Sequence, residues 1–358
     1  MKELKLMKGN EALAEAAIRA GCDAYFGYPI TPQSEVLEYL SREAEARTGM
    51  VVLQAESEVA SINMVYGAAG TGKKSMTSSS SPGVSLMQEG ISYIACAELP
   101  CLLVNVNRGG PGLGTIQPSQ GDYFQTVKGG GHGDYKLIVL APSTVQEMAD
   151  FVDLSFELAF KYRNPVMILS DGALGQMMEK VELQPQKERT IMPGLDEWAT
   201  IGKPANRSHN VITSLHIQPD KMEEINIHLQ KKYRTIEENE VRVEMINCED
   251  AEYIITAYGL VARICTKAAE LAREKGIKVG VIRPITLFPF PVKEISDMAG
   301  KVKAILDVEM NAGQMVEDVR LSVNGKVPVE FYGRMGGIVP TPEEILVAFE
   351  EKILGGAK

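Results

Sequence analysis

Three polar side chains in the first half of the chain stand where apolar segments begin or end. Thr31 lies in Tyr28-Pro-Ile-Thr-Pro32, Glu58 directly precedes the apolar run Val59–Val65, and Arg108 follows the apolar run Cys101–Asn107. In open α/β sheets, ligands bind at the edge where the strands end. A hydroxyl, a carboxyl and a guanidinium at such an edge can hold a small oxo acid and move protons on a heterocycle.

Each of these residues also has a purely structural interpretation, and the residues alone leave both open. Glu58 can stabilise a helix N-terminus by its charge, although a carboxyl group at an apolar boundary needs a partner once it is buried. Arg108 can grip a carboxylate at two points or bind backbone carbonyls. Thr31 can cap a helix or face an anion that the helix attracts.

The elements that must position these residues alternate between strand and helix. We expect Asn10 to cap a first helix, Thr31 and Pro32 to open a second, and Ser81-Pro82 to open another. The expected strands are short, and the best of them are uninterrupted apolar runs typical of strands buried on both faces. They span 23–28, 50–54, 74–78, 101–107, 136–140 and 166–170. This rhythm predicts a doubly wound, parallel α/β sheet.

The alternation stops after the first half and resumes later. Polar, charged and proline residues dominate from about 182 to 250, with one helical segment near 220–240. Strands are expected again at 253–258, 278–282, 304–308 and 327–331, and Thr341-Pro-Glu-Glu344 matches a capping box. We therefore expect a first domain over 1–185, a connector over 186–249, and a second, smaller α/β domain over 250–358.

Composition restricts the class of protein. The 37 basic and 47 acidic side chains give a net charge of −10, which argues against nucleic acid or an anionic membrane as the main partner. No apolar run reaches membrane-spanning length, and the N-terminus lacks the apolar core of a signal peptide. A cytoplasmic protein is expected. The five cysteines are scattered without Cys-x-x-Cys, so we expect free thiols, no metal site and no iron–sulfur cluster in this chain.

Three common catalytic motifs fail on inspection. Gly67-Ala-Ala-Gly-Thr-Gly-Lys73 is followed by Lys74 instead of a magnesium-binding hydroxyl, and its flanking elements are in the wrong order for a P-loop. A helix ending in a glycine cap explains the run better. Gly83-Val-Ser-Leu-Met87 lacks the final glycine of a nucleophile elbow. No Gly-x-Gly-x-x-Gly joins the first strand and helix, so nicotinamide binding has no support.

Several segments, spread in order along nearly the whole chain, resemble the α subunit of 2-oxoacid:ferredoxin oxidoreductases. The similar segments are Gly9-Asn-Glu-Ala12, Tyr28-Pro-Ile-Thr-Pro32, Glu56-Ser-Glu-Val-Ala60, Ser81-Pro-Gly-Val-Ser-Leu-Met-Gln-Glu89, Glu98-Leu-Pro100, Arg108-Gly-Gly-Pro111, Gln120-Gly-Asp122, Arg283-Pro-Ile-Thr-Leu-Phe-Pro-Phe-Pro291 and Glu309-Met-Asn-Ala-Gly-Gln314. The resemblance implies a pyrimidine-type domain that binds thiamine diphosphate, followed by a domain like the C-terminal domain of transketolase.

The same resemblance assigns roles to individual residues. Glu58, favoured over Glu56 by its spacing from Tyr66-Gly67, would share a proton with the aminopyrimidine ring and so assist removal of the thiazolium C2 proton. Tyr28 and Pro29 would also contact the cofactor, and Thr31 and Arg108 would bind the oxo acid. General acid–base assistance of this kind is worth about 10²–10⁴ in rate. His132 is assigned no direct chemistry.

The resemblance also implies partners. A β subunit would carry the diphosphate and Mg²⁺ half-site, because Gly-Asp-Gly followed by Asn-Asn does not occur here. Iron–sulfur clusters would lie on γ and ferredoxin-like subunits of a hetero-oligomer that also binds coenzyme A. The chain looks most like the branched-chain type, which oxidises 2-oxoisovalerate (3-methyl-2-oxobutanoate). The alternatives are the same reaction on 2-oxoglutarate or pyruvate, and a non-catalytic assembly subunit.

Two loops depart from the pattern of the 2-oxoglutarate enzymes. Ser79-Ser-Ser-Pro-Gly83 stands where those relatives often have Thr-Ser-Gly-Pro-Gly. Gly110-Pro-Gly-Leu-Gly114 stands where they have Gly-Pro-Ser-Thr-Gly. The second loop follows Arg108 and is expected to shape the acyl pocket, and a dianionic substrate would require a second basic residue that the sequence does not identify.

Overall fold

The computed structural model describes residues 3–355, which form two α/β sheets and a two-stranded ribbon. The strands are β1 Glu3–Lys8, β2 Ala24–Gly27, β3 Val51–Gln54, β4 Ser75–Ser79, β5 Leu102–Asn107, β6 Ile138–Leu140, β7 Val166–Asp171, β8 Met178–Leu183, β9 Val243–Ile246, β10 Tyr253–Thr256, β11 Val279–Pro284, β12 Thr286–Phe288, β13 Ala304–Glu309 and β14 Val329–Gly333. The α-helices are α1 Gly9–Arg19, α2 Ser34–Thr48, α3 Glu58–Gly70, α4 Ser81–Cys96, α5 Val145–Tyr162, α6 Gly172–Gln176, α7 Pro219–Asn239, α8 Gly259–Glu274, α9 Val292–Ala299, α10 Met315–Val323 and α11 Pro342–Ile353.

The larger sheet has seven strands in the order β12-β6-β7-β5-β4-β2-β3. Its neighbouring strands are parallel except for β12, which pairs antiparallel with β6. Strands β4, β5 and β7 are buried along their whole length, as their position in the centre of a helix-covered sheet requires. Helix α3 packs on α4, whereas α1 packs between α2 and α5. The prediction of a doubly wound α/β fold is confirmed.

The smaller sheet has the order β14-β13-β10-β11-β9, with only β9 antiparallel to its neighbour. Strand β9 comes from the end of the expected connector, and β12 comes from the expected second domain but joins the larger sheet. The larger sheet thus includes one strand from the expected second domain, and the smaller sheet includes one strand from the expected connector. The boundaries at 185 and 250 stay a prediction about how the chain divides.

The expected connector lies across the first domain and contains α7, close to the predicted helix near 220–240. Its early part is hydrogen bonded to the end of α3, where the Thr200 amide donates to the Gly70 carbonyl over 2.9 Å. Farther along, Lys232 of α7 lies 3.1 Å from the carboxyl group of Glu98, which follows α4. The segment is thus anchored at the ends of α3 and α4.

Gln120, in the segment Gln120-Gly-Asp122, joins the two domains. Its backbone amide donates to the Met310 carbonyl over 3.0 Å, and its side-chain Nε2 donates to the Tyr258 carbonyl over 2.9 Å. The Met310 amide in turn donates to Gln120 Oε1 over 3.0 Å. Because all these groups are buried, their hydrogen bonds fix how the second domain lies against the loops of the first.

Local signals for helix ends were partly right. Thr341 forms the expected capping box with Glu344, and Pro82 lies in the first turn of α4. The expected cap at Asn10 is wrong: α1 begins at Gly9, and the Asn10 side chain instead donates to the Pro32 carbonyl and to Glu35. In this position a long-range contact between α1 and the start of α2 outweighs the local capping preference.

Thr31 does not cap α2, which begins only at Ser34 with Gln33 as its N-cap. A turn intervenes, closed by the Gln33 amide donating to the Ile30 carbonyl over 3.0 Å. Gln33 is buried, and its side chain accepts a hydrogen bond from Ser78 Oγ at the end of β4 over 2.5 Å. This tertiary anchor moves the helix start past the Thr-Pro signal and leaves Thr31 exposed.

Candidate functional site

The sequence-predicted site residues lie along one edge of the larger sheet. Tyr28 follows β2, Glu58 follows β3, Ser80 follows β4 and Arg108 follows β5. The chain passes from β2 to β3 on one side and returns to β4 on the other, so the strand order reverses between β2 and β4. Ligands of doubly wound sheets bind in the crevice outside the carboxyl ends of the strands at such a point.

Glu58 is the first residue of α3 and is 6 % exposed. The preceding Ser57 caps the helix, its Oγ accepting from the Ala60 amide over 3.2 Å. Within residues 3–355, no side chain or backbone group pairs with the Glu58 carboxyl group. A buried carboxyl group without a partner is costly, and the helix N-terminus offsets only a fraction of that cost. The geometry therefore favours a ligand-binding role over a surface one.

Glu56, the other carboxyl group in this segment, lies at the surface. Its side chain is exposed and accepts a hydrogen bond from the hydroxyl of neighbouring Ser57 over 3.1 Å. An exposed carboxyl group paired with an adjacent hydroxyl has no need of another partner.

Gly83, in the first turn of α4, forms a close-fitting wall against Glu58. A Cβ atom placed on Gly83 would lie 2.5 Å from Glu58 Oε1 and 2.1 Å from Ser79 Oγ. Both distances are far below van der Waals contact. Only glycine leaves the Glu58 carboxyl group in its place beside the end of β4.

Further buried polar atoms at the same edge have no hydrogen-bond partner in the described part of the chain. They are the hydroxyls of Ser79, Ser80 and Ser170 and the amide nitrogen Nδ2 of Asn107. Ser79 and Asn107 end β4 and β5, Ser80 follows β4, and Ser170 is the last residue but one of β7. Buried polar groups of this kind normally have partners. Ser79 Oγ and the Glu58 carboxyl group both border the space beside Gly83, and a hydroxyl and a carboxyl group match the amino and ring nitrogens of an aminopyrimidine, so the residues present fit that group.

Arg108 and Thr31 are brought together by a direct contact. Arg108 Nη1 donates to the Thr31 carbonyl over 2.8 Å, and Nη2 donates to the Leu113 carbonyl over 3.1 Å. The structural alternative, an arginine bound to backbone carbonyls, is thus present in the molecule. Its Nε is nevertheless buried without a partner among residues 3–355, and Nη1 and Nη2 each keep a second N–H beyond these two hydrogen bonds.

A second layer of buried polar groups supports the end of β5. The Arg108 amide donates to Ser81 Oγ over 3.0 Å, which ties the strand end to the start of α4. Asn105 donates through Nδ2 to Asp122 over 2.8 Å. Burial raises the pKa of the Asp122 carboxyl group, and hydrogen bonds from Ser81 and Asn105 oppose that shift. These hydrogen bonds fix the loops at this edge of the sheet relative to one another.

Asp171 ends β7 and caps the short helix α6, accepting hydrogen bonds from the Ala173 and Leu174 amides over 2.9 and 3.1 Å. Its burial raises the pKa of its carboxyl group to about 6. Sequence reasoning missed Asp171, Asn107 and the serines after β4. The available signal was a polar residue at the end of an otherwise apolar strand.

Tyr28 and Pro29 are exposed at the same edge, and Thr31 borders a cavity of about 620 Å³. The cavity wall includes Ile116 from the loop after Arg108 and Val339 from the second domain. Among residues 3–355, no three His, Cys, Asp or Glu side chains are grouped as metal ligands would be. No helix in that range is long and apolar enough to span a bilayer.

Two family models match this chain, and together they cover most of its length. Residues 15–247 match the model for the thiamine diphosphate-binding domain of pyruvate flavodoxin/ferredoxin oxidoreductases, and residues 251–345 match core domain II of pyruvate:ferredoxin oxidoreductase. The chain belongs to the 2-oxoacid:ferredoxin oxidoreductase family. The resemblance inferred from its motifs is confirmed, and so is the family's thiamine diphosphate-binding domain.

Curated relatives cover almost the full chain. It is 50 % identical over 347 residues to the ketoisovalerate oxidoreductase subunit VorB of Methanothermobacter thermautotrophicus, covering 97 % of both chains. It is 36 % identical over 376 residues to the 2-oxoglutarate synthase subunit KorA of Methanocaldococcus jannaschii, covering 99 % of this chain and 100 % of that one. Both relatives are named as subunits of larger enzymes.

Solved structures agree with the fold. A 2-oxoglutarate:ferredoxin oxidoreductase from Magnetococcus marinus, with 2-oxoglutarate, coenzyme A and succinyl-CoA bound, superposes with a TM-score of 0.87 at 29 % identity. The match covers 98 % of this chain but 65 % of that longer chain. A split-gene transketolase, 14 % identical with a TM-score of 0.61, shares the fold.

Proposed function

We propose that this chain is the pyrimidine-binding subunit of a cytoplasmic 2-oxoacid:ferredoxin oxidoreductase that oxidatively decarboxylates 3-methyl-2-oxobutanoate. The products are the acyl-CoA, carbon dioxide and reduced ferredoxin. The observation that carries this proposal is Glu58, a residue 6 % exposed whose carboxyl group has no partner within residues 3–355, at the point where the strand order reverses.

Glu58 would hold a proton against the ring nitrogen of the aminopyrimidine. The tight wall at Gly83 and the hydroxyls of Ser79 and Ser80 would orient the ring relative to that carboxyl group. Tyr28 and Pro29, exposed at the end of β2, would contact the cofactor from the other side of the crevice. Thiamine diphosphate supplies, when bound, the nucleophilic carbon and the electron sink that decarboxylation of a 2-oxo acid requires.

Arg108 and Thr31 would hold the oxo acid. Two guanidinium nitrogens fix Arg108 on backbone carbonyls, and each of them keeps a second N–H that can donate to a carboxylate. Thr31 is exposed and borders the large cavity, so its hydroxyl can reach a substrate oxygen there. Charge-assisted hydrogen bonds of this kind are short and strong.

Helix α3 would dock the β subunit that carries the diphosphate and Mg²⁺ half-site. Glu58 is its only charged residue, and its outer face exposes Val59 (45 %) and Met64 (37 %). The neighbouring edge strand β3 adds exposed Val51 and Leu53. An apolar helix in contact with water on one face is typical of a buried interface. A partner seated here would close over the ligand at Glu58.

The other proposed partners are the subunits that carry the iron–sulfur clusters, coenzyme A and the oxo acid. All five cysteines are free, and they are scattered through the described structure, so we place the iron–sulfur clusters on γ and ferredoxin-like subunits. Coenzyme A would take the acyl group in the same hetero-oligomer. The branched-chain substrate is preferred because the 50 % identical relative is a ketoisovalerate oxidoreductase subunit, whereas the 2-oxoglutarate synthase relative is 36 % identical. Pyruvate and 2-oxoglutarate remain the alternatives.

The test uses the complex purified with its partners. Replacing Glu58 by Gln keeps the shape but removes the titrating group, and turnover should fall by about 10²–10⁴-fold. Exchange of the thiazolium C2 proton for deuterium should slow in parallel, while recovery of the complex stays constant. The matched control is Glu56→Gln, which should change neither rate. Full turnover in Glu58→Gln would overturn the catalytic role of this residue, and wild-type rates with the three oxo acids decide the substrate.

A further inference from the structure

The loop that follows Arg108 displays two large apolar side chains beside the two residues proposed to hold the substrate. Leu113 is 80 % exposed, and its carbonyl accepts the hydrogen bond from Arg108 Nη2. Ile116 is 56 % exposed and borders the cavity that Thr31 also borders. Single exposed apolar side chains are common, but two of them on one short loop beside a cavity are typical of a surface that contacts a ligand or a partner.

The loop holds these side chains in fixed positions. At its base the Gly109 amide donates to the Gln117 carbonyl over 3.0 Å, and the Thr115 amide donates to the Gly109 carbonyl over 2.8 Å. Gly114 has a φ of +58°, and a Cβ placed there would lie 1.8 Å from the Gly109 oxygen. Because the loop is closed and tightly packed, little conformational entropy would be lost when its side chains contact a substrate.

The second domain supports the loop from behind. A Cβ placed on Gly337 would lie 2.4 Å from Gln117 Cβ, and one on Gly109 would lie 3.1 Å from the Gly337 amide nitrogen. The two loop backbones therefore touch. Contact with a second rigid element keeps Ile116 directed along the cavity wall that Val339 completes.

The charges of the cavity disfavour a second carboxylate. No lysine or arginine occurs among its lining residues within the described part of the chain, and Glu35 is part of its wall. Burial opposes ionisation of Glu35, but hydrogen bonds from Gln176 and Asn10 prevail and hold its pKa below the ordinary value. The nearest cation to this carboxylate, Lys8, lies 3.5 Å from it and is already paired with it.

We propose that Leu113 and Ile116 select the substrate by contacting the branched alkyl group of the 2-oxo acid, while the cavity wall, which contains Glu35 and no lysine or arginine within the described part of the chain, offers no partner to a second carboxylate. This inference rests on the proposed function and specifies its acyl site. Arg108 links the loop to the substrate-binding Thr31, because its guanidinium donates to the backbone carbonyls of both Leu113 and Thr31. Selectivity then combines an attractive contact for one substrate with an unpaired charge for the other.

The test compares substrates within one assembled complex. Leu113→Ala and Ile116→Ala should each lower kcat/KM for 3-methyl-2-oxobutanoate by about tenfold or more, since each lost methyl or methylene contact is worth roughly 10–200-fold. The value for pyruvate, whose methyl group is too short to need these contacts, should change less than about threefold. The ratio of the two values is therefore the readout. Leu321→Ala, at an equally exposed leucine on α10, is the control and should leave the ratio unchanged.

Three other outcomes would each overturn one of the two proposals. If both alanine variants keep the wild-type ratio, the selecting role of Leu113 and Ile116 is overturned. If the Leu113→Ala complex fails to assemble while the Leu321→Ala complex forms, Leu113 is an intersubunit contact and the proposal also fails. A wild-type complex that turns over no branched 2-oxo acid would instead overturn the proposed function, and that result is read before any variant is compared.

Discussion

The carboxyl group of Glu58 and the Cα of Gly83 meet across the edge of the sheet so closely that a methyl group between them would lie 2.5 Å from Oε1. The two residues belong to α3 and α4, which pack on each other. The position of the proposed proton-transfer group is thus set by the absence of a side chain on a neighbouring helix.

Replacing Gly83 by alanine should displace the Glu58 carboxyl group without unfolding the chain. The atoms in the way are side-chain ends, Glu58 Oε1 and Ser79 Oγ, so they can move while the backbone stays. A displacement of about 1 Å at a reacting group costs on the order of 10²-fold in rate. Turnover of the assembled complex and its melting temperature are the measurements. The control is Gly300→Ala, whose Cβ would meet only the Asp297 oxygen at 3.7 Å.

Replacing Arg108 by lysine should weaken substrate binding selectively. A single ammonium group cannot bind the carbonyls of Thr31 and Leu113 and still donate to a carboxylate, as the planar guanidinium can. We expect the KM for the oxo acid to rise by roughly 10–100-fold, equivalent to about 1.4–2.7 kcal/mol, with the KM for coenzyme A unchanged. Arg42→Lys, at an exposed arginine paired with its neighbour Glu43, should have no effect. Equal rises in both KM values would contradict a role at the oxo-acid site.

Replacing Met64 by glutamate should separate this chain from its β subunit. Met64 is 37 % exposed on the outer face of α3, so a charge there is solvated in the free chain but would be buried without a partner in an interface. Co-purification of the β subunit should be lost, while the melting temperature of the isolated chain stays constant. Leu321→Glu on α10 is the control. Normal recovery of the complex with Met64→Glu would exclude the outer face of α3 as the docking surface.

Long apolar segments made the central strands predictable. The run Cys101–Asn107 predicted β5 to within one residue, and the prediction for 166–170 gave β7 almost entirely. The ribbon of β1 and β8 was missed, because Glu3–Lys8 and Met178–Leu183 are short, charged segments that pair across most of the first domain instead of through a local turn. Their pairing forms only when the intervening chain, from α1 to α6, has folded and brings the two segments side by side. Formation of the short strand β12 likewise depends on its pairing with β6, which is distant in the sequence.

The site was predictable at the level of residue types but not of contacts. Polar residues after strand-like runs identified Glu58, Thr31 and Arg108, because the carboxyl ends of parallel strands share one edge. The contact of Glu58 with Gly83 and that of Arg108 with Leu113 join elements far apart or depend on loop closure. Neither follows from local preference. The Thr31 cap failed because buried Gln33 is anchored to Ser78 across the sheet.

The buried carboxyl group of Asp171 should make stability depend on pH in an unusual direction. Its pKa is about 6 in the folded chain against an ordinary value of 3.8. Between about pH 4 and pH 6 the folded chain therefore binds this proton more tightly than the unfolded chain, and the contribution of Asp171 to the free energy of unfolding decreases as pH rises. The full penalty, above pH 6, is roughly 3 kcal/mol.

Asp171→Asn isolates this contribution, because the amide oxygen can still accept from the Ala173 and Leu174 amides but cannot ionise. Urea unfolding of both chains at pH 4.5, 5.5, 6.5 and 7.5 gives the difference between their free energies of unfolding. The wild-type chain should lose stability relative to the variant as pH rises, by up to roughly 3 kcal/mol, and the loss should level off above pH 6. Parallel pH profiles would mean that Asp171 is ionised in the folded chain at low pH, so that the hydrogen bonds capping α6 outweigh its burial.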